Sequence, residues 1–406
     1  MADWEVKLLG DVCTIKPPKA EAKAKLADGD EVSFAPMEDL GIGLKYLQPH
    51  RTCPLAEVSG SYTYFADGDV LLAKITPCFE NGKLGVARGL TNGVGFGSSE
   101  YIVLRPAPTL DAGFLYYYLA RPTFLEEGVR TMTGVVGHKR VTKEFVESYP
   151  IPLPPVTEQR RIVAILDEAF EGIATAKANA EKNLQSSREL YKCHLESLFG
   201  SGGAKWPEQP LEQVATIING YAFKSTDFHG TVGVRSVKIS NVGVREFVDD
   251  AGNFLPGKFA QMHSSVAVTQ GSIVLALTRT IIAGGLKVAV VPNDFHGALL
   301  NQRVAAIQPH AEHLETLFLF AYLSTRRVVK YVKSRVNTLM QPNLSIADLR
   351  QLPLPLPPMS AQRELVATLN RFDADKQKLE SVYLRKLASL GDLKKSLLHQ
   401  AFTGAL

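Results

Sequence analysis

Cysteine is scarce in this sequence of 406 residues: four, at Cys13, Cys53, Cys78 and Cys193. They are scattered and form no CxxC pair. That argues against a disulfide framework or a zinc site and reads as reduced thiols in a cytoplasmic protein. No apolar run reaches the ~18 uninterrupted residues of a membrane-spanning helix. Met1-Ala2-Asp3-Trp4-Glu5 offers no basic segment followed by an apolar run, so no secretory leader is expected.

Catalytic signatures are missing as well. There is no GxxxxGK[ST] loop to cradle phosphates and no GxSxG elbow. Gly93-Val94-Gly95-Phe96-Gly97 follows Asn92, lacks a helix after it and reads as a turn. No Asn/Asp-Pro-Pro-aromatic element is present to hold a base for amino methylation. Glu21-Ala22-Lys23 lacks the upstream acid of a metal-dependent nuclease core. His310 and His313 could share a helix face, but no third metal ligand is nearby. These gaps favour a binding scaffold over an enzyme.

Charge is unevenly spread. Residues 1–203 hold 22 Lys and Arg against 26 Asp and Glu, whereas residues 204–406 hold 23 against 15. The basic second half permits nucleic-acid binding. At ~100–200 residues per domain, the length allows two to four domains.

An internal repeat organises the chain. Trp4–Ile15 aligns with Trp206–Ile217 at an offset of 202. Gly68–Ala73 (GDVLLA) aligns with Gly271–Ala276 (GSIVLA), Pro150–Arg160 (PIPLPPVTEQR) with Pro353–Arg363 (PLPLPPMSAQR), and Phe199 with Phe402, all at 203. Two copies of one unit are predicted, each a mixed α/β domain, then a proline-rich hinge, then a long helix. The expected boundaries are 1–156 and 204–359 for the domains, and 157–203 and 360–406 for the helical regions. Short apolar runs such as Val70–Ala73, Tyr101–Leu104, Ile273–Ala276 and Val288–Val291 read as strands. Helices are expected at 111–120 and 312–330.

The prolines fix an extended hinge, and Thr157 and Ser360 are expected as N-caps. From 157 to 199, Ile162, Leu166, Ala169, Ile173, Ala176, Ala180, Leu184, Ser187, Tyr191, Leu195 and Leu198 recur in steps of 3 or 4, as a coiled-coil seam does. Adding 203 yields a second seam: Leu365, Leu369, Phe372, Lys376, Leu379, Tyr383, Leu387, Leu390, Lys394, Leu398 and Ala401. The two stripes are predicted to pack on each other as an antiparallel coiled coil, with Ser187 and Lys376 fixing register.

With these features together, the chain resembles the specificity (DNA-recognition) subunits of type I restriction-modification systems. The resemblance rests on the organisation and on the hinge Leu153-Pro154-Pro155-Val156-Thr157-Glu158-Gln159, repeated as Leu356–Gln362 with Ala361 in place of the usual Glu. Val32–Met37, Ile75–Lys83, Gly95–Glu100 and Asn219–Ser225 also look like the family's segments. The resemblance implies a non-catalytic subunit. Each recognition domain would read half of a split site on double-stranded DNA, and the helices would set the spacer. Two modification (methyltransferase) subunits, and two restriction (translocase/nuclease) subunits, would join it. S-adenosylmethionine, ATP and magnesium would belong to those partners.

Base reading needs cationic and amide side chains on loops beside a rigid frame. In the first domain the candidates are Lys74, Thr76, Asn81, Lys83, Ser98 and Ser99, with Thr133, Gly134, His138, Lys139 and Arg140 from a glycine-rich loop. In the second they are Tyr221, Lys224, Arg279, Thr280, Lys287, Asn301, Gln302 and Arg303, then Arg335, Asn337, Thr338, Gln341 and Asn343. Arg326, Arg327, Lys330 and Lys333 would touch phosphates or solvent. Glu158, Gln159, Arg160, Arg161, Gln362 and Arg363 are candidates for partner docking. A scaffold that binds the modification subunits without specific DNA binding is the alternative.

Overall fold

The computed structural model describes residues 4–406 except 136, 202–205, 229–231, 250–251, 253 and 337–342. It divides into two units, residues 1–181 with 384–406, and residues 182–383.

In unit 1, Val6–Leu8 pairs antiparallel with the hinge strand Pro150–Pro152. A four-stranded antiparallel sheet runs in the order Cys13–Ile15, Tyr101–Pro106, Val70–Ala73, Leu84–Val86. A second sheet runs Arg51–Pro54, Glu31–Ala35, Val94–Gly97, Thr63–Ala66. The apolar run at 70–73 follows from burial on both faces. Val70 and Leu72 join the core with Phe114 and Leu115, while Leu71 and Ala73 pack with Phe65 and Val103. Gly95 and Gly97 lie in a strand, so the turn is confined to Thr91–Gly93. A side chain would not fit there: a Cβ on Gly97 would come within 2.1 Å of the Ala35 carbonyl oxygen.

Unit 2 repeats the plan. Glu208–Pro210 pairs with Pro353–Pro355. The sheet order is Ala215–Asn219, Val304–Pro309, Ile273–Ala276, Val288–Val290, and a three-stranded sheet of Phe254–Leu255, Val234–Val237 and Leu299–Leu300 matches three of the four strands in unit 1. Ile273 and Leu275 face one core, Val274 and Ala276 the other. A helix at Ala112–Leu119 fits the expected 111–120. The expected helix at 312–330 is two, Thr316–Leu323 and Arg326–Arg335. The break is at Thr325, whose hydroxyl accepts the Val328 N–H and so starts a new helix.

The long helices are Val156–Ser201 and Met359–Thr403. Both begin one residue earlier than expected. The Pro155 carbonyl accepts the Gln159 N–H, and Pro358 accepts Gln362 N–H. Thr157 and Ser360 therefore sit inside the first turn and are not the caps. Each helix belongs to both units. In unit 1, Ile162 and Leu166 of the first helix share a core with Leu398, Ala401 and Phe402 of the second. In unit 2, Leu195 and Phe199 share a core with Leu369. The pairing is antiparallel in each: Phe170 faces Lys394 in unit 1, while Tyr191 faces Lys376 and His194 stacks on Phe372 in unit 2. Every residue of the first predicted seam is buried or half-buried. The second seam departs at Phe372 and Leu379, which are exposed. Ser187 bonds the Leu184 carbonyl of its own helix, so its hydroxyl does not set register.

A buried glutamine joins domain, hinge and helix in each unit. Gln159 is fully buried. Its Nε2 donates to the carbonyls of Thr109 (2.9 Å) and Pro154 (2.8 Å), and its Oε1 accepts the Asp111 N–H at 2.7 Å. Gln362 does the same with His313 (2.9 Å), Pro357 (2.9 Å) and Glu315 N–H (2.8 Å). The sequence expectation that both glutamines meet a partner is overturned, because every side-chain atom is spent inside the fold.

Candidate nucleic-acid interface

In unit 1 the chain leaves the sheet at Lys74 and is held by a neighbouring loop. Thr76 N–H donates to the Lys139 carbonyl and Val141 N–H to the Lys74 carbonyl, both at 2.9 Å. That loop is closed by reciprocal bonds between Thr133 and Arg140, 3.0 and 2.8 Å. Gly134 permits the closure: it has φ +122°, and a Cβ there would meet the His138 carbonyl at 2.9 Å. Arg140 forms a bidentate pair with Glu100, 2.9 and 2.8 Å, and Lys74 Nζ donates to the Ser99 carbonyl at 2.9 Å.

These segments wall a cleft of ≈580 Å³. Lys16, Lys19, Lys74, Arg140 and Lys143 line it, and Glu144 is the one acid among the described lining residues. Of its aromatic lining Tyr62 is exposed, whereas Tyr64 and Tyr101 belong to the core, 2% and 4% exposed. Ser98 and Ser99 continue into an adjoining hollow with Phe34 and Tyr62. Cations around a cleft with one exposed ring at its edge suit a polyanion. His138 and Lys139 stand exposed on the loop.

Arg140 also tunes its partner. Its hydrogen bonds hold the Glu100 carboxyl below the usual carboxylate range, against partial burial, and Lys74 adds to the effect. The folded value lies below the unfolded ~4.3. The pair therefore contributes stability above that pH, and the contribution is lost as pH falls through the folded value. Amide protection in 133–135 and 137–141, measured relative to the intrinsic exchange rate at each pH, is expected to fall on acidification below about pH 4. In Glu100→Gln the protection should already be lowered at neutral pH and respond less to acid.

Several expected readers are placed elsewhere. Lys83 Nζ donates to the Met37 carbonyl at 2.7 Å, and Lys287 Nζ to Ile239 at 2.8 Å, so both ammonium groups brace the fold. Burial first, and Arg279 second, pushes the Lys287 ammonium below its ordinary range. Thr280 is buried with its hydroxyl on the Leu277 carbonyl. The Thr76 hydroxyl donates to Glu80. Asn81 lies beside Tyr117 and Phe170 of the long helix, away from the basic cleft, because the 75–82 turn carries the chain back over the sheet.

Unit 2 gathers a matching set at the same end of its sheet. Thr278 pairs with Asn343, and Leu344 N–H donates to the Leu277 carbonyl at 2.8 Å. Asn337, Thr338 and Gln341 lie outside the described residues. Tyr221 pairs with Asn301, and Gln302 N–H donates to the Tyr221 carbonyl at 2.9 Å. Arg279, Gln302 and Arg303 are exposed, and Lys224 stands on the neighbouring turn. Arg335 ends its helix over the Tyr331 ring. Arg327 is paired with Glu208.

Of the docking candidates, Glu158 and Arg161 pair at the surface (2.7 Å), Arg160 lies 3.8 Å from Asp111, and Arg363 is exposed. Sequence reasoning missed Lys16, Lys19 and Lys143. The signal for two of them was Lys16-Pro17-Pro18-Lys19, a basic pair at the end of a strand.

Two copies of one α/β domain, each with an exposed polar and cationic rim at the same end of its sheet, define a duplicated recognition module. A family model for the type I restriction modification DNA specificity domain matches residues 1–184 and again 204–387. The chain belongs to this family. It is 26% identical to the EcoAI specificity subunit of Escherichia coli over 98% of this chain and 81% of that one. It is 25% identical to the MjaVIII specificity subunit of Methanocaldococcus jannaschii over 100% and 93%. The fold is shared with a solved chain from a study of complex assembly and conformational transition of the type I R-M system (TM-score 0.80, 20% identity, 100% and 99% covered). It is shared too with the HsdS subunit from Thermoanaerobacter tengcongensis (TM-score 0.66, 21% identity, 100% and 98% covered). Among the described residues no helix is long and apolar enough to cross a membrane.

Proposed function

We propose that this chain is the non-catalytic subunit that sets DNA sequence choice for a type I restriction-modification complex. Each domain reads one half of a bipartite site, and the long helices set the unread spacer. Two modification subunits bind the duplicated surface, as a pseudo-symmetric scaffold allows, and restriction subunits join them. S-adenosylmethionine, ATP and magnesium act on those partners. The observation that carries this reading is the repetition of the same sheet, loop and glutamine clasp in both units.

Exchanging residues 1–156 for those of another member should change one half of the methylated sequence and leave the other half intact. Genome-wide mapping of methylated bases in cells carrying the complete system reads this directly, and a change in both halves would refute modular reading. Deleting about four residues from each helix removes ~6 Å of rise. That is nearly two base pairs at ~3.4 Å each, and the mapped spacer should shorten accordingly.

A further inference from the structure

Unit 2 holds a second cleft, of ≈550 Å³, between its helix segments and its recognition domain. Six cations line it: Arg188, Lys192, Arg245, Arg326, Lys333 and Lys376. The two acids among its described lining residues are already engaged. Glu380 pairs with Arg188 at 2.8 Å, and Glu196 accepts the Arg326 N–H at 2.6 Å.

Arg245 lines the cleft. Its Nη2 donates to the Tyr191 hydroxyl at 2.8 Å. Its guanidinium lies 5.1 Å from the Tyr191 ring and 5.0 Å from the Phe320 ring. Its Nη1 is buried and has no hydrogen-bond partner among the described residues. Lys376 Nζ lies 4.8 Å from the same Tyr191 ring and is paired with Asp373 of its own helix at 2.7 Å. An apolar wall adjoins the cations, the hairpin of Ile281–Ile282 and Gly285–Leu286, on which Ile282 is 48% exposed.

The repeat provides an internal comparison. Tyr46 pairs in parallel with Val86, and Val244 with Val288, so the loops carrying Lys45 and Arg245 are equivalent. In unit 1, Lys45 Nζ meets both oxygens of Asp167, at 2.7 and 2.6 Å, and the Tyr117 hydroxyl bonds the same carboxylate. Position 167 plus 203 is Asn370. The helices Ala112–Leu119 and Thr316–Leu323 correspond at an offset of 204, which sets Ala321 against Tyr117. Unit 1 therefore supplies its own carboxylate to this loop, whereas unit 2 has neither a carboxylate nor a phenol at the matching positions, and Arg245, which falls at the Leu47 position, meets the Tyr191 hydroxyl instead.

We propose that the unit 2 cleft is a carboxylate-binding dock for a segment of a partner polypeptide. An Asp or Glu of that segment pairs with the Arg245 guanidinium, and a neighbouring apolar side chain packs on Ile282. The cationic lining selects an acidic ligand. The apolar hairpin selects a peptide over a nucleic-acid backbone, which has no apolar group to bury beside its charge. The inference rests on the reading that the chain assembles with a modification subunit, and the segment is assigned to that subunit. It makes the two halves of a near-symmetric scaffold unequal as docking surfaces.

The test uses the full chain and the modification subunit, with affinity read by titration calorimetry. Arg245→Gln and Ile282→Asp should each weaken assembly at least tenfold. Duplex binding at saturating modification subunit should persist, and thermal melts of the free chain should match wild type. If Arg245→Gln does not fold, Ile282→Asp on the exposed hairpin decides. Unchanged assembly overturns the proposal. Lost duplex binding with intact assembly assigns the cleft to phosphates and overturns it too. A wild-type chain that fails to bind the subunit overturns the underlying reading, a result distinct from wild type and variants binding alike.

Discussion

Replacing Lys16, Lys74 and Lys143 together with alanine is expected to lower the affinity of the assembled complex for duplex DNA about a hundredfold at 0.15 M salt, at ~1 kcal/mol for each lost phosphate contact. The three come from separate segments and converge on one cleft. Each phosphate neutralised releases condensed counterions. Removing three contacts should therefore flatten the slope of log K against log salt by about 2.7. Phosphate contacts carry no sequence information, so the methylated sequence should stay the same while occupancy falls. Fluorescence anisotropy with a duplex between 50 and 200 mM salt reads both quantities. An unaltered slope would remove the cleft from the DNA interface. The substitutions are mild for the fold: Lys16 is exposed, Lys143 pairs with Glu147 on its own helix, and Lys74 gives up one bond to the Ser99 carbonyl.

Gln159→Leu is expected to destabilise the chain by about 2–4 kcal/mol, and Gln362→Leu by a similar amount. Leucine is apolar and leaves the partners unpaired. For Gln159 these are the carbonyls of Thr109 and Pro154 and the Asp111 N–H. Gln159→Glu is no rescue, because a carboxylate cannot donate to two carbonyls and would be a buried charge. Urea unfolding followed by far-UV circular dichroism gives the change in midpoint. A loss under 1 kcal/mol would mean that water replaces the side chain. The expected size follows from full burial: a surface glutamine at the start of a helix would cost a few tenths.

The parts of this molecule legible in the sequence are those written in local period. The seam of the first helix follows from steps of 3 and 4, and the doubled sheet follows from apolar runs at a fixed offset. What was not legible depends on chain segments far apart. Gln159 stands among Glu158, Arg160 and Arg161, and in sequence it looks like one more surface polar residue. Only the closure of a loop about 50 positions upstream buries it. Lys83 and Lys287 have the residue type of DNA readers, yet each reaches a carbonyl more than 40 residues away. The basic cleft is assembled from the ends of strands, a hairpin loop and the start of a short helix. Lys16 and Lys19 are marked only by the short Lys-Pro-Pro-Lys segment, and Lys143 shares no spacing with them that could mark it. Phe372 and Leu379 fit the seam by spacing yet remain exposed, because period fixes a stripe and the partner surface decides how much of it is covered.

The division of each long helix between both units has a consequence for how the polypeptide can be cut. A fragment ending near residue 203 would retain Ile162 and Leu166 but lack Leu398, Ala401 and Phe402, which complete the same core. The remaining fragment would keep Leu369 without Leu195 and Phe199. Neither piece closes its own interior, and each carries the stretch the other is missing. Proteolytic nicking at that point, or co-expression of the two pieces, is thus compatible with a reconstituted particle, whereas discarding one piece exposes greasy surface on the survivor.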